Sequence, residues 1–499
     1  MPALCLPDNP DLDHLKGQAR TLQRRVRAGE PDAVATLRAL HPRPDVADDP
    51  ARFRLADAQL TLARQYGFSS WAALRRHLAV VKEYSRSPQR VAEALDPGAD
   101  PADRLLRLGC LVYGGDDLAR HALASTLLAD RPELAATNVW TAAAVGDVPA
   151  TRGLLGTDTG LCNQRGGPFD WEPLLYLAYS RIESNSPDHD PPAVARLLLD
   201  AGADPHAGYL WEGNYPFTAL TGALGGGEDK GNQPPHRHAL AVARILLDAG
   251  ADPNDSQALY NRQFDADPGH LRLLIEFGLG TDRGGPWHTR LNSGHGTPAQ
   301  LLEDQLSVAA SSNRPEWARL ALAAGADPDG RGTSHPIHQG LTPYESAVRR
   351  GNREVAAILL AAGATPPPPD PVEELLAACM AGDRVSADGL LAARPTLAAQ
   401  AVARRPEAIL QATELRRPDA VRLLAALGFD VNVWGPLNPL HQAAYDGDVT
   451  LVETLLELGA DPTNRDLQFD ATPLGWAEHA RQDAVVELLR SRSRPTVRP

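Results

Sequence analysis

The nine residues LLLDAGADP at 197–205 recur along this chain of 499 residues, and their recurrence decides the fold. Close copies are ILLDAGADP at 245–253, ALAAGADPD at 321–329, ILLAAGATP at 358–366 and LLELGADPT at 455–463. Weaker copies are LIEFGLGTD at 274–282 and LLAALGFDV at 423–431. Because a phrase repeated at one internal position marks one repeated structural unit, we expect a stack of units rather than separate globular domains.

A second phrase precedes several of these copies. It reads Leu341-Thr342-Pro343, Asn438-Pro439-Leu440-His441 and Thr472-Pro473-Leu474. Together the two phrases resemble the ankyrin repeat, with its T-P-L-H-x-A and G-A-D-P consensus. The resemblance implies an all-α ankyrin-repeat solenoid of paired antiparallel helices. With degenerate copies near 127–132, 154–158, 390–395 and 485–490, about eleven helix-turn-helix repeats are expected, several of them degenerate.

The physical role of each repeated position agrees with the resemblance. Thr caps the first helix, and Pro fits a first turn whose N–H needs no helical partner. Gly ends the second helix in a left-handed conformation. The Asp-Pro pair then turns the chain into an extended finger, since proline cannot continue the helix.

Four segments are predicted from these patterns. Residues 1–90 lack the repeated phrase, show helical periodicity near 11–27, 32–40, 55–66 and 70–83, and form an N-terminal helical domain that resembles the leader of many bacterial ankyrin proteins. Degenerate repeats follow over 91–165, repeats with enlarged loops and fingers over 166–365, and C-terminal repeats over 366–499. The stack is expected to continue through the Pro-rich stretch at 366–371.

The central repeats depart from regular spacing. Pro343 to Gly363 and Pro439 to Gly459 are both 20 residues, whereas Ala219 to Gly250 is 31 and Pro298 to Gly325 is 27. The fingers are stretched as well: Gly202 to Thr218 is 16 residues and Gly278 to Thr297 is 19, against 13 for Gly459 to Thr472. Several elongations crowded together predict a functional region.

Aromatic and histidine side chains concentrate in that region. Rigid aromatic side chains anchor many interfaces, so we expect a protein or peptide partner to bind the concave surface and enlarged fingers of residues 206–342. The alternative is that these rings pack the long loops onto the solenoid. The expected partner-binding residues are His206, Tyr209, Trp211, Tyr215, Tyr260, Trp287 and His338.

A second hypothesis for the same loops is an enzyme or a small-molecule-binding protein with a His, Asp and Trp pocket. Its acid–base or metal residues would be His288, His295, His335 and Asp282. No histidine pair has the H-E-x-x-H spacing of a helical zinc site, so the first interpretation is a scaffold with no catalysis, metal or cofactor of its own.

Composition limits the remaining classes. The longest apolar runs are too short to cross a bilayer, and the N-terminus has no secretion pattern, so a cytoplasmic protein without membrane contact is expected. Residues 1–90 hold 15 Lys or Arg and 10 Asp or Glu, whereas the rest holds 34 and 53. An acidic solenoid repels phosphate, so nucleic acid is not the expected partner. The four cysteines lie far apart and are expected to be buried thiols.

Overall fold

The computed structural model describes residues 6, 11–49, 52–93, 100–291, 296–333, 340–434 and 438–492. The chain divides into two compact units, Met1–Leu302 and Glu303–Pro499. Helices account for most of the described residues in both units, and in each unit they follow one another as antiparallel pairs.

The first unit begins with a leader of short helices. Asp11 and Ser70 cap the first and fourth of them, each accepting a backbone N–H with its side-chain oxygen. Two small cores hold the leader together, one around Leu37 and Phe53 and the other around Leu15. The helices confirm the four periodic segments: α1 (Leu12–Arg27), α2 (Pro31–Leu40), α3 (Leu55–Gln65), α4 (Trp71–Tyr84) and a further α5 (Pro88–Glu93).

Helix pairs follow the leader in the first unit. They are α6 (Pro101–Gly109) with α7 (Leu118–Asp130), α8 (Val139–Val145) with α9 (Val148–Thr157), α10 (Pro173–Tyr179) with α11 (Pro191–Asp200), α12 (Ala219–Leu224) with α13 (Ala239–Asp248), and α14 (Ser256–Arg262) with α15 (Gly269–Glu276). A short helix, α16 (Pro286–Arg290), lies in the finger after α15, and the division between the units falls inside α17 (Pro298–Ser311). Three short strands also belong to this unit: β1 (Ser85–Arg86), β2 (Gly208–Trp211) and β3 (Tyr215–Thr218).

The second unit continues the same pattern. Its helices are α18 (Pro315–Ala323), α19 (Pro343–Arg349), α20 (Arg353–Ala361), α21 (Pro371–Met380), α22 (Arg384–Ala393), α23 (Leu397–Arg404), α24 (Ala408–Glu414), α25 (Pro418–Ala426), α26 (Pro439–Tyr445), α27 (Val449–Glu457), α28 (Pro473–His479) and α29 (Asp483–Arg492). Helix α21 begins at Pro371 and contacts α19, so the stack does continue through the Pro-rich stretch. With α17 and α18 taken as one pair and α16 and α23 as finger helices, the described residues contain eleven pairs, as expected.

Each pair packs on the next through its first helix. Helix α10 contacts both α8 and α12, and α26 contacts both α24 and α28, so each of these first helices is sandwiched between its neighbours. In most pairs the second helix ends at a glycine with positive φ, for example 99° at Gly202 and 93° at Gly459. This arrangement produces a core that is continuous along each unit but only one helix layer deep.

An asparagine in the finger fastens one repeat to the following one. Asn163 donates its Nδ2–H to the carbonyl of Gly202 (2.7 Å) and accepts the N–H of Asp204 (2.9 Å). Asn432 makes the same two bonds with Gly459 and Asp461, at 3.2 and 2.9 Å. Because both partners are backbone groups at a finger base, the bonds fix the spacing of adjacent fingers.

The extra residues of the irregular repeats lie between the helices after α10 and after α12, whereas those of Pro298–Gly325 do not form an insertion but lengthen helix α17 to 14 residues. Arg181, in the insertion after α10, is buried and donates to the carbonyls of Pro234 (2.7 Å) and Gly222 (2.8 Å) in the next repeat. Burial lowers the pKa of Arg181 to about 10, so the guanidinium stays charged at neutral pH. A carbonyl of helix α12 and one of the insertion that follows it therefore converge on one cation.

Candidate functional site

The finger of residues 203–218 forms a β-hairpin that stands at the centre of the site. Strands β2 and β3 pair in antiparallel register, with Tyr209 opposite Phe217 and Trp211 opposite Tyr215. Strand β1 of the leader adds to the other edge of β2 in parallel, with Ser85 beside Leu210. The finger thus supplies the middle strand, β2, and one edge strand, β3, of a three-stranded sheet.

One face of this hairpin packs on aromatic side chains from the solenoid. The Tyr209 ring lies 5.1 Å from Trp171 and 5.9 Å from Tyr179, and the Phe217 ring lies 4.7 Å from Tyr113. Tyr209 and Tyr179 are fully buried, and burial raises the pKa of both hydroxyls well above the usual range. These rings anchor the hairpin in one orientation.

The opposite face packs on the leader through Trp287 of α16. Its indole Nε1–H donates to the carbonyl of His206 (2.9 Å), and its ring meets Tyr84 edge to face at 5.2 Å. The Arg290 guanidinium lies 4.8 Å from both of these rings. Close approach requires Gly208, because a Cβ at that position would lie 2.9 Å from Cζ2 of Trp287. Leader, hairpin and α16 form one packed assembly.

The tip of the hairpin stays partly uncovered. Tyr215 is 48% exposed, and Trp211 is half-buried with its indole Nε1–H donating to the carbonyl of Val112 (3.2 Å). On α14, Tyr260 donates its hydroxyl to Oε1 of Glu228 (2.5 Å), and burial together with that carboxylate raises the Tyr260 pKa. Three large rings therefore reach solvent in this region, and hydrogen bonds hold two of them, Trp211 and Tyr260.

A pocket opens at the base of the hairpin, where one finger of the row is short. From Gly250 to Asp255, which caps α14, is only 5 residues, so a notch remains between two long fingers. Its cavity volume is about 50 Å³. Its walls include polar groups from both long fingers and from α14, namely His206, Thr218, Asp252, Asp255, Trp287 and His288. Pockets that enclose a drug-sized ligand measure roughly 300–1,000 Å³, so this one suits a single side chain.

Asp255 supplies a buried carboxyl to the pocket. It accepts the hydroxyl protons of Thr218 (2.5 Å) and Thr221 (3.1 Å) and the N–H of Ala258 (2.9 Å). Burial raises its pKa to about 6, although these hydrogen bonds act in the opposite direction. The pocket base is therefore anionic at neutral pH and neutral in mild acid.

Comparison with known proteins identifies one of these repeats. Residues 437–467, which contain helices α26 and α27, match the family model described as Ankyrin repeat. Similar helix pairs recur in both units, most of them with the glycine turn described above. The chain contains an ankyrin repeat, and its helix pairs fit an ankyrin-like solenoid.

A solved structure and the curated proteins give further comparisons. The crystal structure of the human ASB11 ankyrin repeat domain is similar at 26% identity, with 38% of this chain and 84% of that chain covered and a TM-score of 0.24. No curated protein matches the chain.

The site residues predicted for this ankyrin-repeat protein fall into three groups. Tyr209 and Trp287 are buried, at 2% and 8% exposure, and they pack the finger onto the solenoid and the leader. These two side chains offer little surface to a partner in this conformation. Side chains that reach solvent or the pocket are His206, Trp211, Tyr215, Tyr260 and His288. His295, His335 and His338 lie outside the described residues.

Fewer of the residues named in the acid–base and metal hypothesis lie close together. Asp282 is exposed, accepts the N–H of Gly284 (2.8 Å) and is not part of the pocket wall. Within the described ranges, no cluster of three His, Cys, Asp or Glu side chains could hold a metal ion. The pocket carboxylates Asp252 and Asp255 were missed by sequence reasoning, and the signal that could have found them is the unusually short finger that precedes α14.

Two further findings concern the cysteines and membrane-spanning helices. Cys110, Cys162 and Cys379 are buried, as expected, whereas Cys5 lies outside the described residues. No helix in the described part of the chain has both the length and the hydropathy to span a membrane.

Proposed function

We propose that this ankyrin-repeat protein is a scaffold that binds a protein or peptide partner through the tip of the 203–218 hairpin, the adjoining α14 and the notch pocket. Ankyrin repeats generally mediate protein–protein interaction. The single observation that carries the proposal is that the tip is rigid and still uncovered: Trp211 and Tyr215 extend from a hairpin packed on both faces. Preorganised aromatic groups lose little entropy on binding, so they favour affinity.

The pocket supports the same function. Its volume admits one partner side chain beside the aromatic tip, and the carboxylates of Asp252 and Asp255 favour a basic or hydrogen-bond-donating group there. A cytoplasmic location, a bacterial origin and the boundaries at 90, 165 and 365 stay predictions.

The test compares single substitutions in the full chain. A partner captured from the native cell and then purified should bind Trp211→Ala and Tyr215→Ser about 30-fold more weakly, corresponding to loss of about 2 kcal/mol per anchor. Leu240→Ser is the matched control, because Leu240 on α13 is 47% exposed and lies outside the hairpin and pocket. Unchanged affinity of both tip variants, measured by calorimetry, would place the binding surface elsewhere.

Trp287→Ala separates packing from binding. Because Trp287 is buried between hairpin and leader, the variant should melt several degrees lower, as measured by circular dichroism. If Trp287→Ala also weakens partner binding, the partner recognises the packed assembly of leader, hairpin and α16 as a whole.

The alternative function, an enzyme or small-molecule-binding protein, depends on the same pocket. His206 and His288 share its wall with two carboxylates, which is the observation in its favour. Native mass spectrometry of the purified chain tests it: a small molecule that copurifies with the chain and is lost in Asp252→Ala would support this alternative over the scaffold.

A further inference from the structure

The last finger of the second unit presents apolar side chains to solvent on a fixed turn. Leu467 is 93% exposed and Phe469 is 62% exposed, although most side chains of their type in this chain are buried. The turn is not a loose loop. Asp466, only 3% exposed, accepts the N–H groups of Gln468 (2.8 Å), Phe469 (2.6 Å) and Ala471 (3.0 Å).

The same carboxylate fixes the neighbouring aromatic ring. The indole Nε1–H of Trp476 donates to Oδ2 of Asp466 at 2.9 Å. Burial raises the pKa of Asp466, but its hydrogen bonds outweigh burial and hold the pKa at about 2. The carboxylate is therefore ionised at any ordinary pH, and turn and indole keep one geometry.

Three rings continue from this turn as a row. Trp476 lies edge to face with Phe469 on one side and with Tyr445 on the other, each at 5.6 Å between ring centroids. Tyr445 is 43% exposed. We call Leu467, Phe469, Trp476 and Tyr445 the C-terminal aromatic row. Extended chain rises about 3.3 Å per residue, so the row matches about four residues of an extended peptide.

Charge distinguishes among the possible occupants of the row. Residues 438–482 hold eight Asp or Glu and two Arg, and three Arg from outside this stretch, Arg416, Arg422 and Arg490, pair with its carboxylates, so three carboxylates remain in excess. A carboxylate follows each end of the row: Asp446, which lies 3.5 Å from Arg416, and Asp470, which lies 3.2 Å from Arg465. A second copy of this surface would bring like charges together, and an anionic membrane would be repelled. A basic peptide gains both ion pairing and cation–π contact with the rings.

We propose that the C-terminal aromatic row binds an extended segment of a partner protein in which Arg or Lys residues flank an apolar one. The apolar side chain lies against Leu467 and Phe469, and the cationic groups reach the rings of Tyr445 and Trp476 on this acidic surface. This surface lies in Glu303–Pro499, so it is separate from the hairpin tip and does not depend on the function proposed there.

The experiment selects a displayed library of random dodecapeptides on the immobilised full chain. The double variant Leu467→Ser/Phe469→Ser is the counter-selection target. Because both side chains are exposed, the variant should keep the circular dichroism spectrum and the melting temperature of the original chain. Selected clones should combine Arg or Lys with Leu, Phe or Pro, and the corresponding synthetic peptides should bind the double variant at least about tenfold more weakly by fluorescence anisotropy.

Two controls sharpen this result. Val385→Ser removes an apolar side chain that is 84% exposed on α22 and should leave peptide affinity unchanged. Tyr215→Ser, in the first unit, should also leave it unchanged, which separates this site from the hairpin tip. Added salt should weaken binding, because part of the attraction is ionic.

Three outcomes would overturn the proposal. One is that no clone distinguishes the full chain from the double variant, and another is that the selected clones are acidic. The third is that the full chain self-associates in analytical ultracentrifugation and the double variant does not, in which case a second copy covers the row.

Discussion

At the scale of single residues, the pocket depends on a hydrogen-bond relay between two helix caps. Thr218 caps α12 by accepting the N–H of Leu220 (3.1 Å), so its hydroxyl proton is available to Asp255, the cap of α14. The two caps join consecutive repeats across the notch. Within this relay, burial opposes ionisation of the Asp255 carboxyl and raises its pKa.

This arrangement predicts a pH dependence for Asp255→Asn. The folded-state pKa of about 6 lies above the usual value of 3.8, so the stability from Asp255 is fully present below about pH 4 and is lost as pH rises through about 6. The unfolding free energy of the original chain minus that of the variant should therefore fall between pH 4 and 7, by at most about 3 kcal/mol. Urea denaturation at several pH values measures it.

Subtracting the unfolding free energy of the variant from that of the original chain cancels the contributions of the other titrating groups. Asp252→Asn, at a half-buried pocket neighbour, serves as the control, because the Asp255 carboxyl is present in both proteins and its titration largely cancels in their difference. A constant difference from pH 4 to 7 would mean that Asp255 ionises in the folded protein as easily as in water.

At the scale of elements, the finger of 203–218 depends on the leader that covers one of its faces. The shared cluster consists of Val81, Leu210, Trp287 and Leu291, with Tyr84 packed against it. Tyr84 contributes an edge-to-face contact to Trp287 and a cation–π contact with Arg290. Contacts of these kinds contribute about 1 kcal/mol each.

Tyr84→Ala should therefore destabilise both the leader and the 203–218 finger. Hydrogen exchange followed by mass spectrometry should become faster in Ser85–Arg86 and in Gly208–Trp211, because β1 and β2 share hydrogen bonds. Tyr66→Ala is the matched control: Tyr66 packs in the leader's own core, where its hydroxyl donates to Gln18 (3.1 Å). Faster exchange in the leader alone, with the hairpin unaffected, would show that the finger is stable without it.

The sequence predicted the helices and fingers but not the contacts between them. Spacing identified the long finger before Thr218, because counting along a repeat needs no tertiary information. It could not show that the leader would pack on that finger, since the helical pattern of Trp71–Tyr84 defines an apolar face without naming its partner. For the same reason Tyr209 and Trp211 looked equivalent, although one is buried and the other half-buried.

The site shows the same limit. The histidines and tryptophans of the fingers were visible as rare residues in irregular repeats, and His206, Trp287 and His288 do come together at the pocket. Asp252 belongs to the repeated phrase and Asp255 caps a helix. Both residues have ordinary structural roles in the sequence, so neither indicated a pocket. The C-terminal aromatic row was concealed in another way, because its repeat has regular spacing and only side-chain exposure distinguishes it.

At the scale of the whole molecule, most contacts of a repeat are with its neighbours, so the effect of a cavity should spread locally within a unit. Leu455 of α27 is fully buried in the second unit, and Leu198 of α11 is fully buried in the first. Replacing either by alanine removes apolar contacts and leaves a cavity, at a cost of about 2–5 kcal/mol. The cost falls on the repeats that share the cavity wall.

Leu455→Ala should accordingly speed hydrogen exchange in the second unit, most in α26–α29, and leave α8–α13 of the first unit unchanged; Leu198→Ala should do the reverse. Each variant is the control for the other, because both remove the same side chain from a fully buried position. Mass spectrometry of peptides from both units in one experiment gives the comparison directly. Equal acceleration along the whole chain in both variants would show that the repeats unfold as one cooperative block. That result would contradict local spreading, which is expected because most contacts join adjacent repeats.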